Sequence, residues 1–275
     1  MKKIYSFILL FVFTLFLTSC GSKMVNEIYN VTFEGTIDVE GFEDLTQSVI
    51  KSTESSIVTV LNYDVMFGGL DSNGTGSGVV YQSKAVLKNG QIVDAKTAIE
   101  QQLDIKTFEY RAITNEHVIE GSKIIKIVGS DNNSEITAQV IAYDKTLDLA
   151  IISFSSPKYF PAIKLGDSEK LTKGSFVIAI GSPYGLEFKG TCTFGIVSDP
   201  KRYVEEENLF DTIINEYVQH DAAINSGNSG GALVNMKGEL VGINTMKLTF
   251  DGDSTEGMGF AVPSNKVKEF INENK

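Results

Sequence analysis

The chain has 275 residues, 42% of them hydrophobic, enough to bury a sizeable core in one or two domains. Against 24 lysines and arginines stand 35 aspartates and glutamates, a formal net charge of −11, which repels phosphate backbones and argues against nucleic-acid binding. The two cysteines, Cys20 and Cys192, exclude a disulfide framework, and without closely spaced ligand pairs for zinc neither a metal nor a cofactor is expected.

Lys2-Lys3 begin a leader whose apolar stretch, Phe7 to Leu17, is 11 residues long. At ~1.5 Å per residue it reaches about 16 Å, well short of a ~30 Å hydrocarbon core. That length fits a signal-peptide core and not a permanent membrane span. The stretch ends in Leu17-Thr18-Ser19-Cys20-Gly21, which resembles a bacterial lipobox. The resemblance implies removal of residues 1–19 and lipidation of Cys20, so that the protein sits outside the cytoplasm, anchored to the cell membrane. Two or more acyl chains anchor stably where one is marginal. Residues 20–42 then form the lipidated N-terminus and a polar spacer.

Beyond the spacer, Phe42, Leu45, Val49 and Ile50 fall at helical spacing and predict one short helix. Short β-branched runs follow at 57–61, 78–81, 123–128, 136–143, 149–154, 176–180, 192–198, 231–235, 240–245 and 258–262, separated by Gly, Asn, Asp and Lys. Strands of that length and frequency predict an all-β sandwich or barrel. Two helices interrupt the pattern. One, over 93–104, carries Ala95, Ala98, Ile99 and Leu103 inside a long connection. The other, capped by Pro263-Ser264, carries Val267, Phe270 and Ile271 at the end of the chain. Glu205-Glu206-Glu207 reads as a solvated loop.

The sharpest chemical signal is Asn225-Ser226-Gly227-Asn228-Ser229-Gly230-Gly231-Ala232-Leu233. A nucleophilic serine needs an exposed hydroxyl on a tight turn, with backbone N–H groups free to receive developing negative charge. Glycines on both sides of Ser229 permit that turn and let a substrate carbonyl approach closely. Any imidazole partner is His117 or His220. Gly74-x-Gly76-x-Gly78 is not a nucleotide loop, because Val79 stands at the third glycine's place and a strand follows instead of a helix.

GTGSGVV at 74–80, TNEHVI at 114–119, Asp-Leu-Ala-Ile at 148–151, LGDSEKLTKGSFVIAIGSPYGL at 165–186, GIVS at 195–198, QHDAAINSGNSGGALVN at 219–235, GELVGINT at 238–245 and GMGFAVPSNKV at 257–267 occur in an order that resembles the HtrA (DegP-type) branch of trypsin-like serine proteases. The resemblance covers roughly residues 42–270. It implies a chymotrypsin-like double β-barrel, with 43–157 as the first barrel and 158–275 as the second barrel with its C-terminal helix. It implies Ser229 as nucleophile, His117 as general base and then acid, and Asp148 as the group that orients the imidazole. The order His, Asp, Ser is that of the chymotrypsin arrangement. Backbone N–H groups of Gly227 and Ser229 would form the oxyanion hole. His220 stands where the family has a threonine-like residue and reads as a surface or pocket-rim histidine. Asp144 opens a turn, Asp221 is more plausibly structural, and Cys192 reads as a buried small apolar residue.

In trypsin-like enzymes the base of the specificity pocket lies six residues before the serine, here Ala223. Ile224 and Ser226 complete the expected pocket, Ser226 where the family commonly has proline. With no carboxylate at its base, the resemblance implies cleavage after small or medium aliphatic residues. The connection between GSGVVY and TNEHVI exceeds the family's hairpin by about two dozen residues, and no PDZ domain is expected after the protease. The reading is an extracytoplasmic, lipid-anchored serine endopeptidase acting on protein or peptide substrates, with homo-oligomer formation left open. The competing reading is a catalytically silent binding or adhesion lipoprotein on the same fold, displaying the insertion at 83–109 to a partner.

Overall fold

The computed structural model describes residues 38–66, 69–130, 134–207, 212–245 and 257–275. The leader, Cys20 and nearly all of the 20–42 spacer lie outside the described residues. Among the described residues, no helix is long and apolar enough to cross a membrane.

Helix α1 (Val39–Thr53) packs Val49 onto the core. Seven strands follow: β1 (Ile57–Met66), β2 (Gly69–Leu87), β3 (Ile92–Asp94), β4 (Ile105–Thr114), β5 (Ile124–Gly129), β6 (Ile136–Asp144) and β7 (Leu149–Ser156). Helix α2 (Ala95–Glu100) lies between β3 and β4, and the single turn α3 (Glu116–Ile119) follows β4. The order β1-β5-β6-β7-β4-β2, closed by the β1–β2 pairing, makes a barrel, with β3 added outside β2.

A second set, β8 (Lys164–Leu165), β9 (Phe176–Gly181), β10 (Thr191–Glu207), β11 (Thr212–His220), β12 (Ala232–Asn235), β13 (Glu239–Thr245) and β14 (Gly259–Pro263), closes in the order β12-β9-β10-β11-β14-β13 through β12–β13, with β8 beside β13. Helix α4 (Ser264–Glu273) ends the chain. The protein is thus the double β-barrel with short N- and C-terminal helices that the sequence predicts. The strands form because β-branched residues fill both barrels. Val58, Val60, Ile127 and Ile152 fill the first, and Val177, Val197, Val218 and Val241 the second. A third apolar cluster runs between them and joins Val79, Ile113 and Ile151 of the first barrel to Ile178, Ile180 and Ile243 of the second. Close packing of this kind holds the barrels, and the loops they carry, in one fixed relation.

Several local expectations are corrected. The predicted helix over 93–104 is one and a half turns, 95–100, after a short strand. Asp94 caps it, its Oδ1 accepting from Thr97 N at 2.8 Å and Thr97 Oγ1 at 2.9 Å. Glu205–Glu207 is not a loop but the end of β10, laddered to Ile214, Ile213 and Thr212 of β11. Pro263 occupies the N-cap of α4, and Ser264 caps no helix N–H; its hydroxyl donates to Gly166 O at 3.0 Å and ties the helix to the second barrel. The helix holds through Val267, Phe270 and Ile271, buried at i, i+3 and i+4.

Candidate active site

Strand pairing decides where the first two candidate residues meet. Thr114 of β4 lies opposite Ala150 of β7, so the turn after β4 sits beside the turn before β7. The first turn carries His117 and the second Asp148. Asp148 is 1% exposed and has φ of +52°, a left-handed conformation that Asp tolerates better than most residues. Asn115 Nδ2 donates to its carbonyl at 2.8 Å and holds it there. The carboxylate receives the His117 backbone N–H at 3.0 Å, and the imidazole Nδ1 lies 2.9 Å from Oδ2 and 3.0 Å from Oδ1. Thr245 Oγ1, from the second barrel, donates to Oδ2 at 3.0 Å. Because an ionised carboxylate only accepts, this network assigns the proton to Nδ1 and leaves Nε2 as the basic nitrogen.

Ser229 lies on the loop between β11 and β12. Ala232 pairs with Ile243, which brings that loop against Asn244 and Thr245. Asn244 clamps it three times: its carbonyl accepts from Gly230 N (2.9 Å), its N–H donates to Gly231 O (2.9 Å), and Nδ2 donates to Ala232 O (2.8 Å). The loop's carbonyls are all taken up on one side. Ser226 O accepts from Tyr184 N (2.7 Å), Gly227 O from Ser77 Oγ (2.7 Å), and Asn228 O from Gly231 N (2.9 Å). Across a trans peptide the N–H points opposite the carbonyl. The Gly227 N–H is therefore turned away from Tyr184, and the Ser229 N–H away from Gly231. Gly227 has φ of +100°, and a Cβ there would collide with Ser182 O, so only glycine fits this turn.

His117, Ser229 and Gly227 line one cavity of ≈430 Å³, whose other walls include Thr75, Val118 and Glu120. A larger one of ≈700 Å³ lies on the outer face of the first barrel, between Lys84, Arg111, Gln139 and Ser155, and brings no catalytic group together. Ala223 is exposed and accepts from Thr193 Oγ1 at 2.9 Å; Ile224 is half-buried against the second barrel's core, and Ser226 is exposed in the loop.

The rival candidates fall elsewhere. His220 is not at a rim: it is fully buried in the second barrel, neither ring nitrogen has a well-formed hydrogen bond among the described residues, and burial pushes its pKa down to about 4. Gly259, opposite it on β14, leaves the space its ring fills. Asp144 Oδ1 accepts from Thr146 N at 2.7 Å and Leu147 N at 3.0 Å, a turn-making role. Asp221 Oδ1 accepts from Ile196 N at 2.6 Å. Cys192 is half-buried, and burial raises its thiol pKa to about 11.

Sequence reasoning missed Ser77. Its side chain and backbone stitch the first barrel to the Ser229 loop: N donates to Ser229 O (2.7 Å), Oγ donates to Gly227 O (2.7 Å) and accepts from Ser182 N (2.9 Å), and O accepts from Thr114 Oγ1 (2.6 Å). Thr245 and Asn115 were missed likewise. All three lie inside segments of the family resemblance, and no spacing rule singles them out.

The trypsin-like peptidase domain family model matches residues 76–243, from the residue before Ser77 into β13. The chain belongs to this family. It is 44% identical over 163 residues to "Serine protease Do-like HtrA" of Lactobacillus helveticus, covering 58% of this chain and 38% of that protein. Identity is 40% over 207 residues to "Periplasmic serine endoprotease DegP" of Escherichia coli K12 (75% and 39%). With the Bacillus subtilis "Serine protease Do-like HtrA" it is 36% over 239 residues (84% and 47%). The chain thus spans half or less of the length of these three relatives. His117, Asp148 and Ser229 all lie within residues 76–243.

Proposed function

We propose that the protein is a serine endopeptidase that cleaves proteins through an acyl-enzyme on Ser229. One observation carries the reading: an imidazole gripped at Nδ1 by a buried carboxylate shares a cavity with a serine on a glycine-built turn. Ser229 Oγ attacks the scissile carbonyl while His117 Nε2 takes its proton. The tetrahedral oxyanion is received by the N–H groups of Gly227 and Ser229. Collapse breaks the C–N bond, and the His117 imidazolium returns its proton to the leaving amine. Water, deprotonated by the same imidazole, then frees the acyl group. Asp148 holds the ring's tautomer and stabilises the imidazolium, and Thr245 holds Asp148.

Cleavage follows small or medium aliphatic residues, since Ala223 offers no charge to a buried Lys or Arg, whose unpaired burial costs several kcal/mol. The protein works outside the cytoplasm, lipid-anchored at Cys20. Its lipobox-like sequence supports this, as does the periplasmic place in the name of a relative. Homo-oligomer formation stays open; what supports it is an exposed aromatic patch where Phe42, Phe176 and Phe194 meet edge-on or tilted with ring centroids 5.4–5.7 Å apart. The purified protein should hydrolyse casein, and Ser229→Ala should lower kcat by about 10⁶. Turnover that survives Ser229→Ala refutes the reading, and a folded wild type without turnover favours the silent binding lipoprotein.

A further inference from the structure

Acids outnumber bases in this chain, 35 against 24, and many of the described lysines are paired with a carboxylate. One place reverses the balance. A cavity of ≈270 Å³ lies where β2 and β4 of the first barrel meet the end of α4. It is lined by Tyr81, Gln82, Lys84, Arg111, Ile271 and Lys275, so three of its six residues are cations and none is Asp or Glu. Among the described residues none of these three cations makes an ion pair.

Two of the cations stand on paired strands. Gln82 lies opposite Arg111 and Lys84 opposite Glu109 in the β2–β4 ladder, so alternation puts all four on the outer face of the barrel. Glu109 is the carboxylate nearest in that ladder, yet it forms no ion pair with Lys84 and lines the larger neighbouring cavity, not this one. Arg111 is half-buried, and a charge taken that far out of water calls for a counter-ion. Its Nη1 donates to Asn274 O at 3.2 Å, which ties down the end of α4 but supplies no negative charge. Its charge also lowers the Tyr81 pKa against the larger rise from burial. Most of the guanidinium donors are left over. Tyr81 and Ile271 belong to the apolar cluster between the barrels, and walls of that kind strengthen a charge-assisted contact beside them.

We propose that this cavity binds a phosphate-type dianion, either free phosphate or the phosphate of a lipid headgroup. The Arg111 fork offers parallel N–H donors to two of its oxygens, and Lys84 and Lys275 add point charges from the rim. Several cations converging on one small space suit a charge of about −2 on a single centre better than a lone carboxylate. At ≈270 Å³ the cavity falls below the ~300–1,000 Å³ of sites that enclose whole drug-sized ligands, which fits a small anionic group. The site stands apart from the peptidase chemistry and does not depend on it.

Phosphorus NMR of inorganic phosphate, titrated against the purified protein at constant ionic strength, tests the site. The wild type should broaden the phosphate line saturably, with Kd of about 1 mM or tighter. Arg111→Gln should weaken binding about tenfold, Lys84→Gln about threefold and Lys84→Glu by more than about tenfold. Arg111→Gln also loses the bond to Asn274; Lys84 is exposed and its side chain bonds no described residue, so its variants read binding without disturbing the fold. Lys106→Gln, the same loss of charge on an exposed residue of β4 outside the cavity, should bind phosphate as the wild type does. Soluble dihexanoyl phosphatidate is the second probe. Affinity at least about threefold above that of inorganic phosphate assigns the site to a lipid headgroup, whose chains would meet Tyr81 and Ile271. Equal or lower affinity assigns it to free phosphate. No saturable binding by the wild type, unchanged affinity in Lys84→Glu, or an equal loss in Lys106→Gln overturns the proposal. Tighter binding of tetra-aspartate than of phosphate overturns it too, in favour of an acidic peptide.

Discussion

Replacing Ser77 by alanine removes one oxygen atom from a position that is 0% exposed. Two partners lose their bond at once: the Gly227 carbonyl, which accepts from Oγ at 2.7 Å, and the Ser182 N–H, which donates to it at 2.9 Å. Each buried group left unpaired costs about 1–3 kcal/mol, so the variant should lose about 2–6 kcal/mol of stability. At roughly 2–4 °C per kcal/mol for a domain of this size, its Tm should fall by about 4–24 °C. The kinetic effect has a separate origin. The Gly227 carbonyl is the handle that fixes the peptide next to the Gly227 N–H, the proposed oxyanion donor. Deleting a whole oxyanion-hole donor costs about 10²–10³ in kcat, which sets a ceiling. The Ser77 backbone N–H still holds Ser229 O, so the loop should loosen and not detach. The expected result is a kcat about 10- to 100-fold lower with KM within about twofold, read with a fluorogenic peptide well below the variant's Tm. A normal kcat in a variant whose Tm falls as expected would refute the claim that Ser77 sets the oxyanion geometry.

Three further outcomes follow from the same structure. His220 is neutral and buried with its pKa lowered to about 4, while an unfolded histidine titrates near 6.5. Between those values the unfolded state takes up a proton that the folded state refuses. Stability present above pH 6.5 should therefore be lost as pH falls toward 4, by about 3 kcal/mol in all. In His220→Leu, which keeps the bulk, the urea midpoint should decline less over that window; an unchanged acid profile would show that His220 does not set it. Asp148→Asn should lower kcat by about 10⁴ through the wrong imidazole tautomer, and Thr245→Val by about tenfold, both with little change in KM; a wild-type rate in Asp148→Asn would sink the assigned role. His117→Ala should abolish turnover where His220→Ala retains most of it, and the reverse pattern in the same assay would exchange the two histidines.

Legibility in the sequence followed how local each signal is. The terminal helix was visible because Val267, Phe270 and Ile271 repeat at helical spacing, and α1 for the same reason. Strands β4 and β11 escaped notice. In β4 the buried residues Phe108, Tyr110 and Ala112 alternate with polar ones, but Lys106, Glu109 and Arg111 mask the run, and the insertion's helix drew the whole segment into one connection. The Glu205–Glu207 run reads as loop from its charge, whereas its backbone continues the β10–β11 ladder. The candidate site was legible where a residue type announces chemistry: Ser229 in its Gly-Asn-Ser-Gly-Gly turn, and two histidines. Ser77 and Thr245 act through hydrogen bonds to residues 150 and 97 positions away, and nothing local marks such a contact. His220 was misplaced because a histidine beside an aspartate reads as polar surface; only the opposing Gly259 opens room for it inside.

The central claim is that Ser229 is a nucleophile activated by His117. Labelling the purified protein with a fluorophosphonate, followed by digestion and mass spectrometry, tests it without any knowledge of the substrate. The account predicts one phosphonylated residue, Ser229, with labelling abolished in Ser229→Ala and slowed by several orders of magnitude in His117→Ala. A folded wild type that takes no label, or takes it at another serine, would contradict it.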